Sequence, residues 1–230
     1  MSSGSVVLVR VESVRADNTM RIAPDFPGRT IIVRLLGQES FVRQLMLAHA
    51  LSVNYQGPEG RFHFILLNEA RGADWNGLES ALLAHEYGHI WLAALGFRSP
   101  VFDDSCLATA VGDIVQHVLI REETARRGFD YAAFWKRTHD LWLAEEEKGN
   151  EAPVLDRCRS LLLMIEWTDA EIGFSDEEWP SRPAYLQTLR GRHPDLSVRI
   201  DALAAWMRDR NLWDRSVYES ALFNVARILS

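Results

Sequence analysis

The residues with the clearest capacity for chemistry are at 83–91, Leu-Ala-His-Glu-Tyr-Gly-His-Ile-Trp. His85 and His89 are four apart. On a helix their imidazoles share one face, one turn apart, and can take two corners of a zinc tetrahedron. Glu86 directly follows the first histidine. It lies beside the metal rather than on it, the position a general base needs toward an attacking water. In such a site zinc lowers the pKa of the water and polarises a carbonyl. The glutamate accepts the water proton and can return it to the leaving nitrogen. The expected reaction is amide hydrolysis with Zn2+ as cofactor, with His85 and His89 as ligands and Glu86 as the catalytic base. Ala84, Tyr87, Gly88, Ile90 and Trp91 carry no charge, so this helix is expected to be buried. Buried imidazoles and a buried carboxylate are costly unless a metal or a hydrogen-bond network satisfies them.

The motif needs a helix, and the flanking residues define one over 76–95. Asn76 can cap it, with Glu79 completing a capping box, and Gly96 and Pro100 stop it. Before it, valine-rich 6–14 and β-branched 30–36 read as strands. Phe41, Leu45, Leu47 and Ala48 suit a helix over 39–52, and 61–68 (RFHFILLN) reads as a further strand. Beyond Gly96 the pattern is helical, with helices expected at 105–128, 130–149, 153–172, 182–189, 195–209 and 215–229. The charged run from Glu145 to Glu151 reads as a solvated helix end.

The run His85-Glu86-Tyr87-Gly88-His89, preceded by elements in this order, resembles the zincin superfamily of metallopeptidases. The resemblance covers about the first 130 residues. It implies an α+β fold in a single zincin-like domain spanning 1–230. A small N-terminal sheet with a backing helix and the HExxH helix would form one lobe (about 1–98), followed by a mainly helical C-terminal lobe (about 99–230). The metzincin branch is excluded, because Leu92 and Leu95 stand where its glycine and third histidine would be. Gluzincin-like enzymes take the third ligand from a second helix, and the 105–128 helix is placed for that. Asp113 and His117 share a face there among Ala, Val, Leu and Ile. Either can be the third metal ligand with the other orienting it; Glu122, Glu123 or a residue elsewhere are the remaining candidates. Gly112 would let this helix approach the HExxH helix closely. In zincins an edge strand beside the active-site helix binds extended peptide. If 61–68 is that edge, Phe62 and Phe64 line the cleft beside His63; otherwise it is a plain sheet strand. Candidate oxyanion donors are Tyr131, His139, Tyr185, His193 and Tyr218. Trp135, Trp142, Trp167, Trp206 and Trp213 read as core, and the charges along the later helices as solvated faces.

Composition narrows the function further. With 230 residues, 47% of them hydrophobic and eight of them tryptophan, the chain can bury a sizeable core. A net charge of -7 with no basic stripe argues against nucleic acid as a partner. No phosphate-cradling glycine loop and no Gly-x-Ser-x-Gly is present. Cys106 and Cys158 form no C-x-x-C pair and read as reduced thiols. With no signal-like N-terminus and no membrane-spanning run, a cytoplasmic protein without membrane contact is expected. The function expected is a zinc metallopeptidase acting on a peptide or protein substrate. Two alternatives are a zinc hydrolase of a small-molecule amide or ester, and a non-catalytic zincin-fold domain that binds or regulates.

Overall fold

A computed structural model of the chain describes residues 9–13, 29–35, 49–57, 60–148 and 156–230. Its strands are β1 (Val9–Ser13), β2 (Arg29–Leu35), β3 (Ala50–Gly57) and β4 (Gly60–Asn68), in the sheet order β1-β2-β4-β3. A 3-10 turn (Glu69–Arg71) follows. The helices are α1 (Gly72–Trp75), α2 (Glu79–Leu95), α3 (Ser105–Arg126), α4 (Tyr131–Lys148), α5 (Arg157–Gly173), α6 (Arg182–Arg192), α7 (Pro194–Met207) and α8 (Arg215–Leu229). The architecture is α+β with a small mixed sheet and a predominantly helical remainder.

The chain divides into two compact units. The first is 1–95 together with Thr124–Phe134; the second is Gly96–Glu123 together with Trp135–Ser230. The expected lobes, about 1–98 and 99–230, were each continuous; the first unit here also takes in the end of α3 and the start of α4.

In the first unit β4 is an inner strand, parallel to β2 and antiparallel to β3. That corrects its reading as a possible edge. Both of its backbone ladders are engaged, so it cannot accept a peptide by strand addition. Ile65 and Leu67 are fully buried on one face, while Phe64 and Leu66 pack against Val33 and Leu35 on the other. The strand at the β3 end of the sheet order escaped the sequence reading. Residues 50–52 belong to it and not to a helix over 39–52, whose remainder at 39–48 lies outside the described residues. Of the strand expected at 6–14, only Val9–Ser13 falls within them. The run Glu145–Glu151 lies at the end of α4 and partly outside them.

Helix α2 packs on β3 and β4. It starts at Glu79, so the capping box on Asn76 does not form. Asn76 instead ends α1, and Gly77, with φ +80°, turns the chain. The Glu79 carboxylate pairs with Arg34 of β2, which also holds Glu69 at 2.6 Å. Gly96, with φ +93°, ends the helix as expected.

His49 also belongs to this unit. Its ring lies edge-on to Phe134 with Nε2 3.3 Å from Asp74. Burial, reinforced by the Arg71 charge and opposed by Asp74, pushes its pKa from 6.5 down to about 4. Between these values the unfolded chain binds a proton that the folded chain does not, so stability falls as pH drops through that window. The full shift corresponds to about 3 kcal/mol. His49→Gln is expected to flatten the loss of urea midpoint between pH 6.5 and 4. Parallel pH profiles for variant and wild type would show that His49 does not drive it.

The second unit is helical, with α5, α6, α7 and α8 packed in sequence. Its core holds a group of rings. His139 stacks on Trp179 at 5.1 Å, and Tyr185 contacts both. Trp167 and Trp179 are fully buried, whereas Arg210 covers the partly exposed ring of Trp206 at 4.5 Å. The later helices are not uniformly solvated on their charged positions: Asp169 and Glu171 of α5 are both buried. Cys106 and Cys158 form a disulfide between α3 and α5, which corrects the reading of two reduced thiols. Gly112 faces the loop after α2: a Cβ there would sit 3.0 Å from Ser99 Oγ, so its small size serves that loop. Among the described residues, no helix is long and apolar enough to cross a membrane.

Candidate metal centre

His85 and His89 lie on α2 one turn apart, with ring centroids 4.8 Å apart and planes at 82°. Their Nε2 atoms are 3.1 Å from each other. His117 of α3 completes the group: one ligand atom from each of the three histidines lies within 4.8 Å of the others. His85 and His117 are buried and His89 is partly so. Nitrogen donors around a tetrahedral zinc, with bonds of ~2.0–2.1 Å, are about 3.3 Å apart. The His85–His89 separation of 3.1 Å is close to that value. Three imidazoles are a donor set that suits a divalent transition metal such as zinc.

His117 is held from behind. Its Nδ1 is 2.6 Å from Asp169 Oδ2, inside the second unit. This leaves Nε2 as its ligand atom. The other oxygen of Asp169 takes Arg121. Burial alone would push the His117 pKa down, but Asp169 outweighs it and raises the pKa, with a smaller contribution from Asp113. Burial of Asp169 is likewise outweighed by His117 and Arg121, and its carboxyl is held below the usual range. A carboxylate behind a ligating imidazole fixes the ring and its tautomer and raises its basicity as a donor.

The remaining sequence candidates fall as follows. Glu86 follows His85 on α2, is buried, and is not one of the three clustered residues. Asp113 is partly buried one turn before His117 and is likewise outside the cluster. Glu122 is exposed and accepts a hydrogen bond from Trp213 Nε1 at 2.8 Å. Glu123 is buried. His63 is buried in the sheet, its Nδ1 2.6 Å from Asn54 Oδ1 on the directly opposite residue of β3.

Several oxyanion candidates serve packing. The Tyr218 hydroxyl accepts from Gln116 Nε2 at 3.0 Å and donates to the Arg98 carbonyl at 3.1 Å; burial pushes its pKa up to about 12. Tyr185 and His139 meet at 3.4 Å in the aromatic core, where Glu166 lies 3.1 Å from His139. His193 sits buried at the junction of α6 and α7. The side chain of Tyr131 is outside the described residues.

Asp169 and Arg121 were missed by the sequence reading. One signal was available: Asp169 stands in the run LLLMIEWTDA, where a lone aspartate on a largely apolar helix needs a buried partner.

No protein-family model matches the chain, and no curated protein or solved structure matches it either.

Proposed function

We propose that this protein is a zinc-dependent metallopeptidase of zincin-like type. The observation that carries the reading is the convergence of His85, His89 and His117 within 4.8 Å, with Glu86 adjacent to the first of them on the same helix. His85, His89 and His117 would hold the metal. A bound zinc supplies Lewis acidity, activating water and polarising the scissile carbonyl. Glu86 accepts the proton of the attacking water and delivers it to the leaving amine. Glu86 is buried, which shields its carboxylate from bulk water. A peptide substrate is supported by β3: this strand ends the described sheet, and α2 packs against it. An extended peptide can hydrogen-bond to such a strand edge. The amide-hydrolysing reading stands on the residues of the motif and not on a matched relative.

Metal analysis by plasma mass spectrometry on tag-free protein tests the site. Wild type is expected to hold about one zinc per chain. His85→Ala and His117→Ala are expected to lose it, and Asp113→Ala to retain it. A wild-type chain that takes up no zinc would overturn the reading. Loss in Asp113→Ala but not in His117→Ala would move the third ligand to Asp113.

A further inference from the structure

We infer that Asp169 is a positioning residue for the metal centre. Clamped by Arg121, it holds the His117 proton on Nδ1, so that Nε2 carries the lone pair a metal ligand needs. The inference rests on the metal reading above and extends it to α5, which carries none of the three histidines.

The geometry is specific. Asp169 is 1% exposed, and its two oxygens are divided between two donors: Oδ2 is 2.6 Å from His117 Nδ1, and Oδ1 receives the Arg121 guanidinium. Both partners come from α3, one turn apart, so a single carboxylate bridges them. A carboxylate accepts on both oxygens and donates on neither, which leaves His117 one tautomer that satisfies the contact, with hydrogen on Nδ1. The imidazole is neutral in that tautomer, and its Nε2 lone pair is available to a metal. Gly173 leaves room for the clamp: a Cβ there would lie 2.7 Å from the Arg121 guanidinium carbon.

This predicts an unusual outcome for the isosteric change. An asparagine at 169 has one accepting oxygen and one donating amide. Arg121 can only donate, so it takes the oxygen and turns the NH2 toward His117. Nδ1 must then accept, and the proton moves to Nε2, the atom the metal needs. Asp169→Asn is therefore expected to weaken zinc binding about 10–100-fold while the fold is kept. Adding Arg121→Met frees the amide oxygen to turn to His117 and should recover much of the loss.

The experiment is zinc affinity by chelator competition on the full chain, for wild type, Asp169→Asn, Asp169→Ala and the double variant Asp169→Asn/Arg121→Met. Nitrogen-15 spectra of the histidine rings, taken on zinc-loaded protein, read the His117 tautomer directly. The expected pattern is Nδ1–H in wild type, weaker binding in both single variants and partial recovery in the double variant. Wild-type zinc affinity in Asp169→Asn would overturn the inference and leave the metal reading intact. So would a double variant no tighter than Asp169→Asn, or wild-type protein with its His117 proton on Nε2. A wild-type chain that binds no zinc overturns both together. If Asp169→Ala does not fold, Asp169→Asn decides.

Discussion

Glu86→Gln is expected to keep its zinc and lose peptide hydrolysis by about 10²–10⁴-fold, the usual contribution of a positioned general base. The two halves of that result have separate causes. Glutamine has the size of glutamate, and residue 86 is not one of the three clustered residues, so the metal set is untouched. An amide, however, cannot take a proton from water near neutral pH, so the step that makes the nucleophile is lost. The assay is cleavage of a mixed peptide library by zinc-loaded protein, read by mass spectrometry, with metal content measured on the same samples. Undiminished cleavage by Glu86→Gln would remove Glu86 from the mechanism. Loss of zinc in that variant would instead make Glu86 part of the metal set. Wild-type protein that holds zinc but cleaves no peptide, while hydrolysing small amides or esters, would move the reaction to small substrates.

What the sequence disclosed and what it concealed divide along physical lines. The α2 motif was legible because helical spacing alone puts His85 and His89 on one face and Glu86 beside them. The helices after Gly96 were legible from apolar periodicity and glycine stops; the expected span 215–229 coincides with α8, and Gly128, with φ +78°, closes α3. Contacts between distant segments were not legible. His117, the commoner type of zinc ligand, was favoured over Asp113, but spacing on one helix cannot say which of two residues on a face meets a side chain elsewhere. Asp169 is separated from His117 by 52 residues, and the local signal, an aspartate on a largely apolar helix, does not say which partner it meets. The place of β4 in the sheet was concealed for a similar reason. Its alternation specifies a strand, but whether both ladders are filled depends on β2 and β3. The latter was hidden in an apolar stretch that a helical period also fits. Asn76 and Glu79 had the spacing of a capping box, yet the helix begins only at Glu79, and Gly77, with φ +80°, turns the chain between them.

Opening the Cys106–Cys158 bond should lower the stability of the second unit by about 4 kcal/mol, the chain-entropy value for a loop of its size. The sequence separation is 52 residues. In a chain of this length that corresponds to a melting temperature roughly 10 °C lower. The disulfide also belongs to a pattern. Cys106 and Cys158 lie in the first turns of α3 and α5, and His117 meets Asp169 at the same offset of 52 three turns further on. Arg121 and Gly173 touch at that offset again. The two helices therefore run parallel in fixed register, joined covalently at the start, where Arg157 also holds Asp104 at 2.8 Å, and by a buried ionic cluster farther along. Mild reduction of wild type and the variant Cys106→Ala/Cys158→Ala should give the same lowered melting temperature, since both remove one link from the unfolded chain. A thiol count on denatured, unreduced protein gives the independent check. No free thiol is expected where the bond is present, and two where it is not. Wild type that melts unchanged on reduction, with two free thiols from the outset, would show that the bond does not form in solution and that the helix register rests on the Asp169 cluster alone. A melting temperature that falls on reduction, with no free thiol beforehand, would assign the bond a structural role.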